Sequence, residues 1–192
     1  MKDSQIILGI DPGTLVMGYG LICANKSNVS LIEMGVLQLS KYEDHAERLK
    51  LIFNKVQSLI QLHKPVAVAI EAPFFGKNVQ SMLKLGRAQG VAIAAAMVNG
   101  LNAAEYAPRK VKQSITGRGN ATKEQVLSML QHTFGAFDDV RFMDATDAVA
   151  VALCHHYQGG AIMAAMTPEK KIKSRKTTNW ATFAAMNPDR VK

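Results

Sequence analysis

Four carboxylates stand at positions where the chain ends one predicted element or begins another. Asp11 ends the apolar run "IILGID" and is followed by Pro12-Gly13, while Glu71 ends the apolar run "VAVAIE". Asp144 and Asp147 lie three residues apart in "MDATDAVAVALCHH". Because a helix brings residues three apart onto one face, these two side chains share a surface if the segment is helical. Together the four groups would form an oxygen-rich cluster.

A cluster of four carboxylates is unfavourable unless a cation occupies it. Carboxylates a few ångströms apart either raise one another's pKa or bind a metal. An all-oxygen donor set suits Mg²⁺ or Mn²⁺ better than Zn²⁺. Two such ions about 4 Å apart activate a water molecule and stabilise the leaving oxygen in phosphodiester hydrolysis. The predicted chemistry is therefore metal-dependent cleavage of a phosphodiester.

Three of the four acids also have a purely structural interpretation. Asp11 fits the first position of a tight turn that Pro12-Gly13 completes. Asp144 fits a helix N-cap, and Asp147 fits a first helical turn, where the helix dipole favours negative charge. These interpretations must jointly explain why every acid with apolar neighbours falls at the end of an element. A shared site explains this more simply.

Hydrophobic periodicity predicts the elements that must position these acids. Three strands at 6–11, 18–25 and 29–39, joined by short polar turns, predict an antiparallel meander. Two further apolar strands are predicted at 66–71 and 102–107. Helices are predicted from Asp44 to Pro65, across 78–98 and 109–115, from Thr122 to near Gly135, and from about Asp144 to His156. This order predicts an α/β fold, a mixed five-stranded sheet flanked by helices.

The connection between the third and fourth predicted strands decides whether the acids meet. A right-handed crossover would return strand 66–71 beside strand 6–11, which makes Asp11 and Glu71 neighbours. His155 and His156 lie two to three turns beyond Asp144, up to about 18 Å along the helix axis, and are therefore interpreted as structural.

Positive charge is concentrated in two segments of the chain. The net charge is +8, and residues 77–123 hold eight basic side chains against Glu105 alone. That distribution favours a polyanionic partner. Residues 169–192 hold seven basic and two acidic side chains and lose the apolar periodicity. We therefore predict a domain at 1–168 and a basic, disordered tail at 169–192.

Composition favours a cytoplasmic globular protein. Apolar residues make up 48% of the chain, which excludes wholesale disorder. No stretch approaches the ~20 apolar residues that span a bilayer. Two cysteines, Cys23 and Cys154, form no disulfide framework, and Cys154 fits simple packing in an apolar helix.

Five segments in a fixed order resemble the RuvC family of bacterial Holliday-junction resolvases. The segments are "GIDPGTLVMGYGLI", "IEAPFFGKN", "KLGRAQGVAIAAA", "YAPRKVKQSITGRGNATKEQV" and "DATDAVAVALCH". The resemblance covers roughly residues 5–160. It implies an RNase H-like fold, a homodimer, and Mg²⁺-dependent resolution of four-way DNA junctions by paired symmetric nicks. It also implies RuvA and RuvB as partners in DNA recombination and repair.

The resemblance assigns roles to individual residues. Asp11, Glu71, Asp144 and Asp147 match the catalytic, metal-binding carboxylates of the family. Phe74 matches an aromatic side chain that stacks on a base near the crossover, an interaction worth about 1–3 kcal/mol per base. Lys112 and Lys123 match basic residues near the scissile phosphate. Arg109 and Arg118 are predicted to contact the DNA backbone further out, although both also fit a solvated basic face. The family pattern suggests that Lys77 contacts a strand.

Small residues in the predicted helix 78–98 allow another backbone to approach closely. Gly86 and Gly90 are among them, and they fit the dimer interface that the resemblance implies. Small residues also pack a helix onto its own sheet, and the sequence leaves both interpretations open.

Other functions use the same residues differently. An actin-like ATP-binding lobe would use "GIDPGT" as a phosphate loop, but the chain is short for two lobes and shows no second phosphate motif. A YqgF-like RNase H-fold nuclease would act on RNA, and Phe74 with the Lys112 and Lys123 segment disfavours it. A DNA-binding module without catalysis is a third class, although all four acids are present.

Overall fold

The structure is a computed structural model of the 192-residue chain and describes residues 4–25, 28–73, 78–135, 137 and 143–159. The strands are β1 (Gln5–Asp11), β2 (Val16–Ala24), β3 (Val29–Gln38), β4 (Ala67–Glu71) and β5 (Ala103–Tyr106). The helices are α1 (His45–His63), α2 (Val79–Val98), α3 (Pro108–Thr116), α4 (Lys123–Phe134) and α5 (Met143–Tyr157). These elements confirm the order predicted from periodicity.

The five strands form one sheet in the order β3-β2-β1-β4-β5. Strands β1, β2 and β3 make the predicted antiparallel meander. Strand β4 returns parallel to β1 through α1, and β5 then adds parallel to β4. The prediction of a mixed five-stranded sheet is confirmed, and the two acid-bearing strands β1 and β4 are adjacent.

Local signals set the ends of the helices. The side chain of Asp44 accepts hydrogen bonds from two backbone N–H groups in the first turn of α1. Lys64, in the left-handed conformation, ends that helix just before Pro65. Thr122 and Gln125 form a reciprocal capping box at the start of α4, the helix that the sequence predicts to begin at Thr122.

Helices cover both faces of the sheet. Alternate residues of β1, Leu8 and Ile10, pack with α1 and α2 on one face. Ile7 packs on the other face with α3, α4 and α5. Among the helices in the described residues, none has both the length and the apolar character needed to cross a membrane.

Glycines on β1 and β2 face helix α5 and let it lie close to the sheet. A Cβ at Gly9 would collide with the carbonyl oxygen of Ala148, and one at Gly18 would collide with that of Asp144. A Cβ at Gly20 would meet Cγ2 of Val149 first and then its backbone nitrogen. Side chains larger than hydrogen at these positions would push the helix outward, so the glycines set the height of α5 above β1 and β2.

The structure describes most of the predicted domain at 1–168 and none of the predicted tail at 169–192. Residues 1–160 belong to one compact unit. The predicted tail at 169–192 lies outside the described residues, and the predicted boundary at 168 stays a prediction.

Candidate active site

The carboxyl ends of β1 and β4 place two acids side by side. Asp11 and Glu71 each follow directly on the paired residues Ile10 and Ile70 of the parallel ladder. Neighbouring residues at the same level of a parallel pair point to the same face, and the two carboxyl groups share a hydrogen bond. The crossover therefore brings these two acids together, as expected.

Helix α5 adds the other two acids above this pair. One carboxylate oxygen each of Asp11, Asp144 and Asp147 lies within 4.8 Å of the others. Each of these residues is half-buried. Because α5 begins at Met143, Asp144 lies inside the helix, and its interpretation as the N-cap is wrong. The structure thus brings all four predicted acids together. Asp11, Asp144 and Asp147 form the cluster, and Glu71 joins it through its hydrogen bond with Asp11.

Burial and mutual repulsion disfavour the charged forms of these acids. Desolvation by burial, then the charge and hydrogen bond of Glu71, raise the pKa of Asp11 to about 9. Burial also raises the pKa of Glu71, with a further contribution from Asp147. A carboxyl that is protonated at neutral pH, as Asp11 is at a pKa of about 9, is a weak metal ligand, so a cation that enters must displace this proton.

Two lysines lie beside the acids. The ammonium group of Lys123 is 2.5 Å from Asp147 Oδ2, and its side chain is half-exposed. Burial alone lowers the pKa of Lys123, but the hydrogen bond and charge of Asp147 raise it overall. The positive charge of Lys112 acts on Glu71. Lys123 touches one oxygen of one acid and keeps an exposed face, so it lines the cluster without filling it.

The remaining predicted DNA contacts are partly described. Arg118 is exposed and lines a cavity of about 350 Å³ between α3 and α4. Arg109 is exposed and lies against Gly119, in the loop that joins these helices. Both side chains lie at the loop between α3 and α4, and Lys123 is the first residue of α4 after this loop. Phe74 and Lys77 lie outside the described residues.

A cavity of about 180 Å³ is lined by Asp11 and Glu71. It is also lined by a polar residue that the sequence analysis missed. Gln89 of α2 lines this cavity, is 8% exposed, and donates from Nε2 to Glu105 at 2.6 Å. A polar residue in the apolar, small-residue part of α2 was the available signal. Its effect is to fix α2 against β5 next to the acids.

The glycines under α5 were also missed as part of the site. Gly18 and Gly20 stand two apart in β2, and Gly9 faces them from β1. Alternating glycines mark one bare face of a strand pair, which is where a helix can approach closely. The sequence contained this signal in "GYG".

The two histidines at the end of α5 lie apart from the acids, as predicted. His155 is 7% exposed, and a hydrogen bond of 2.8 Å joins its Nδ1 to the hydroxyl of Tyr106. Burial lowers the pKa of His155, which favours the neutral form of the ring. The pair connects α5 to β5.

A mixed sheet with β1 and β4 parallel at its centre and acids at their carboxyl ends defines an RNase H-like protein with an acidic centre. The family model for crossover junction endodeoxyribonuclease RuvC matches residues 7–155. Crossover junction endodeoxyribonuclease RuvC of Cytophaga hutchinsonii is 53% identical over 98% of this chain and 88% of its own length. The protein of the same name from Christiangramia forsetii is 49% identical over 100% of this chain and 95% of its own length.

A solved structure of a RuvC protein is also similar to this chain. The structure of T. thermophilus RuvC in complex with Holliday junction substrate matches with a TM-score of 0.76 at 32% identity, and covers 83% of this chain and 96% of that one. The chain belongs to the RuvC family.

Proposed function

We propose that this chain resolves Holliday junctions by hydrolysing a phosphodiester in each of two symmetric strands. The observation that carries the proposal is the cluster of Asp11, Asp144 and Asp147, with carboxylate oxygens within 4.8 Å of one another, in a member of the RuvC family. Paired nicks would separate a four-way junction into two duplexes. This step would serve DNA recombination and repair, in the cytoplasm.

The donor set fits a hard divalent cation. All the candidate ligands are carboxylate oxygens, the set that suits Mg²⁺ and, as a substitute, Mn²⁺. Burial first, and then the neighbouring acids Glu71, Asp147 and Asp144, raise the pKa of Asp11, so a cation bound here would relieve the repulsion among them. Asp11, with Asp144 and Asp147, would hold one ion, and Glu71 would complete a site for a second. The metal supplies activation of water and stabilisation of the leaving oxygen.

The remaining side chains would bind and orient the DNA. Lys112 and Lys123 lie next to the acids and would hold the scissile phosphate against them. Arg109 and Arg118 would contact the backbone further along a strand, because both are exposed on the adjacent loop. Phe74 would stack on a base near the crossover and Lys77 would contact a strand, by family resemblance alone.

Symmetric cleavage requires two copies of the site, and α2 supports a homodimer. Val79 and Leu83 are 68% and 53% exposed, and added Cβ atoms at Gly86 and Gly90 would meet nothing. These four positions recur at intervals of four, three and four residues, which places them on one side of the helix. An exposed apolar and small-residue stripe suits close packing against a second copy. By resemblance, RuvA and RuvB would act with this dimer.

A movable four-way junction tests the proposal. We expect the protein to cut it only when Mg²⁺ or Mn²⁺ is present, with nicks at symmetric positions on two strands. A hairpin RNA of equal length serves as the competing substrate. Equal cleavage of the RNA, or nicks scattered over all four arms, would contradict junction resolution.

A further inference from the structure

The loop 12–15, which connects Asp11 to β2, depends on groups outside itself for its path. Pro12 has no N–H to donate. A Cβ at Gly13 would collide with the carbonyl oxygen of Val16, so the chain turns here in a space that only glycine fits. The next two residues, Thr14 and Leu15, offer carbonyl oxygens that accept hydrogen bonds from other parts of the chain.

Arg48 provides one of these hydrogen bonds. Its Nη1 donates to the carbonyl oxygen of Thr14 at 3.2 Å, and its Nε donates to the carbonyl oxygen of Tyr42 at 2.5 Å. The side chain starts from the first turns of α1, which Asp44 caps. Arg48 therefore joins three segments: the loop after Asp11, the segment before α1, and α1 itself.

A backbone hydrogen bond also connects loop 12–15 to the segment before α1. The N–H of Leu39 donates to the carbonyl oxygen of Leu15 at 2.8 Å, and that of Tyr42 donates to Leu39 at 3.1 Å. Loop 12–15 and residues 39–42 are thus connected by one backbone bond and by the fork of Arg48. In the described part of the chain, Arg48 makes no ion pair, so its donors serve backbone carbonyls.

We propose that Arg48 is a positioning residue for the acidic centre. By holding Thr14, three residues beyond Asp11, it fixes the direction in which the Asp11 carboxyl leaves the sheet. A planar guanidinium reaches two carbonyls in fixed directions, which a lysine ammonium on a flexible stem does not reproduce. The proposal rests on the proposed function for its catalytic consequence, while its structural half concerns the loop alone.

Three variants of the full chain test this role. Arg48→Ala removes both bonds, Arg48→Lys keeps the charge but not the fork, and Lys50→Ala removes an exposed charge from the same helix as a control. We expect Arg48→Ala to lower the single-turnover cleavage rate at saturating junction by roughly 10- to 100-fold, the usual effect of losing an outer-shell support. Arg48→Lys should recover this rate only in part, and Lys50→Ala should match the wild type.

Two further measurements separate positioning from DNA binding and from general stability. Junction Kd, measured with Ca²⁺ in place of Mg²⁺, should be unchanged in Arg48→Ala. Hydrogen exchange of metal-free protein should speed up at the amides of residues 13–16 and stay unchanged in the interior of α1.

The contrary results are distinct. A cleavage rate in Arg48→Ala equal to that of Lys50→Ala, or a Kd that rises as much as the rate falls, would overturn the proposal. Uniformly faster exchange across α1 would also overturn it, because Arg48 would then only stabilise the fold. If the wild type cuts no junction, the proposed function fails, and the exchange of residues 13–16 alone decides the role of Arg48.

Discussion

The central residues of this protein are acids whose surroundings oppose their charge. Asp11 and Glu71 share a hydrogen bond, and burial raises the pKa of both. Such an arrangement is costly in a metal-free fold and useful only where a cation compensates it. The types of these residues and their strand-end positions were readable from the sequence. Their hydrogen bond was not, because it depends on the register of two strands that lie about sixty residues apart.

The metal-free protein should lose stability as pH rises. The pKa of Asp11 is raised from 3.8 to about 9 on folding, so the native state binds more protons than the unfolded state within that window. The contribution of Asp11 to stability is then fully present below about pH 4 and is lost as pH rises toward 9. Asp11→Asn removes this dependence. In EDTA at pH 8 we expect the variant to melt higher by at least about 2–4 °C, equivalent to about 1 kcal/mol in a domain of this size.

Thermal melts from pH 5 to 9 in EDTA check this expectation. Glu43→Gln, which alters an exposed carboxylate, is the matched control and should follow the wild-type curve. Parallel curves for the wild type and Asp11→Asn over the whole range would show that Asp11 is not protonated in the folded state.

At the scale of elements, the site depends on how closely α5 approaches the sheet. The strands and helices themselves followed from periodicity and capping residues to within one or two positions, because local signals determine them. The position of α5 over β1 and β2 is a tertiary feature. Gly9, Gly18 and Gly20 indicate it only when the β1–β2 register is known.

Gly18→Ala should disable the site by moving α5. The new methyl group would meet the carbonyl oxygen of Asp144, a backbone atom that cannot rotate away. We expect a loss of about 1–3 kcal/mol in the free energy of unfolding, the usual cost of overpacking. Because Asp144 itself moves, cleavage should fall by far more than the folded fraction does.

Gly20→Ala is the matched control for this prediction. Its methyl group would first meet Cγ2 of Val149, on the same strand face but farther along α5 from Asp144. Chemical denaturation and junction cleavage, both at a temperature where the variants are folded, compare the two. Equal cleavage by both variants would show that the height of α5 at Asp144 is not critical.

At the scale of the whole molecule, positive charge and the proposed dimer would connect one acidic centre to a four-armed substrate. The basic segment 77–123 contains most of the proposed DNA contacts, and its loop between α3 and α4 lies beside the acids. The sequence showed this clustering directly, since it is a matter of composition. The surface of the proposed dimer was harder to predict from the sequence. Small residues in α2 are consistent both with packing against the sheet of the same chain and with contact to a second copy.

Leu83→Glu should convert the proposed dimer into a monomer. A charge at this exposed apolar position would be buried without a partner in a helix-to-helix contact, which costs several kcal/mol. Leu62→Glu is the control, since Leu62 is 71% exposed on α1. Sedimentation velocity should give one-copy mass for Leu83→Glu and two-copy mass for the control. A dimer in both variants would place the interface elsewhere.

The most direct test of the acidic centre compares Asp11→Asn with the wild type on one four-way junction in Mg²⁺, with nicking and binding measured in the same buffer. The substitution keeps the size of the side chain and removes its ability to ionise. The account predicts that the variant binds the junction at least as tightly as the wild type and makes no detectable nicks. Nicking at the wild-type rate would show that the three-aspartate cluster does not hold the catalytic metal.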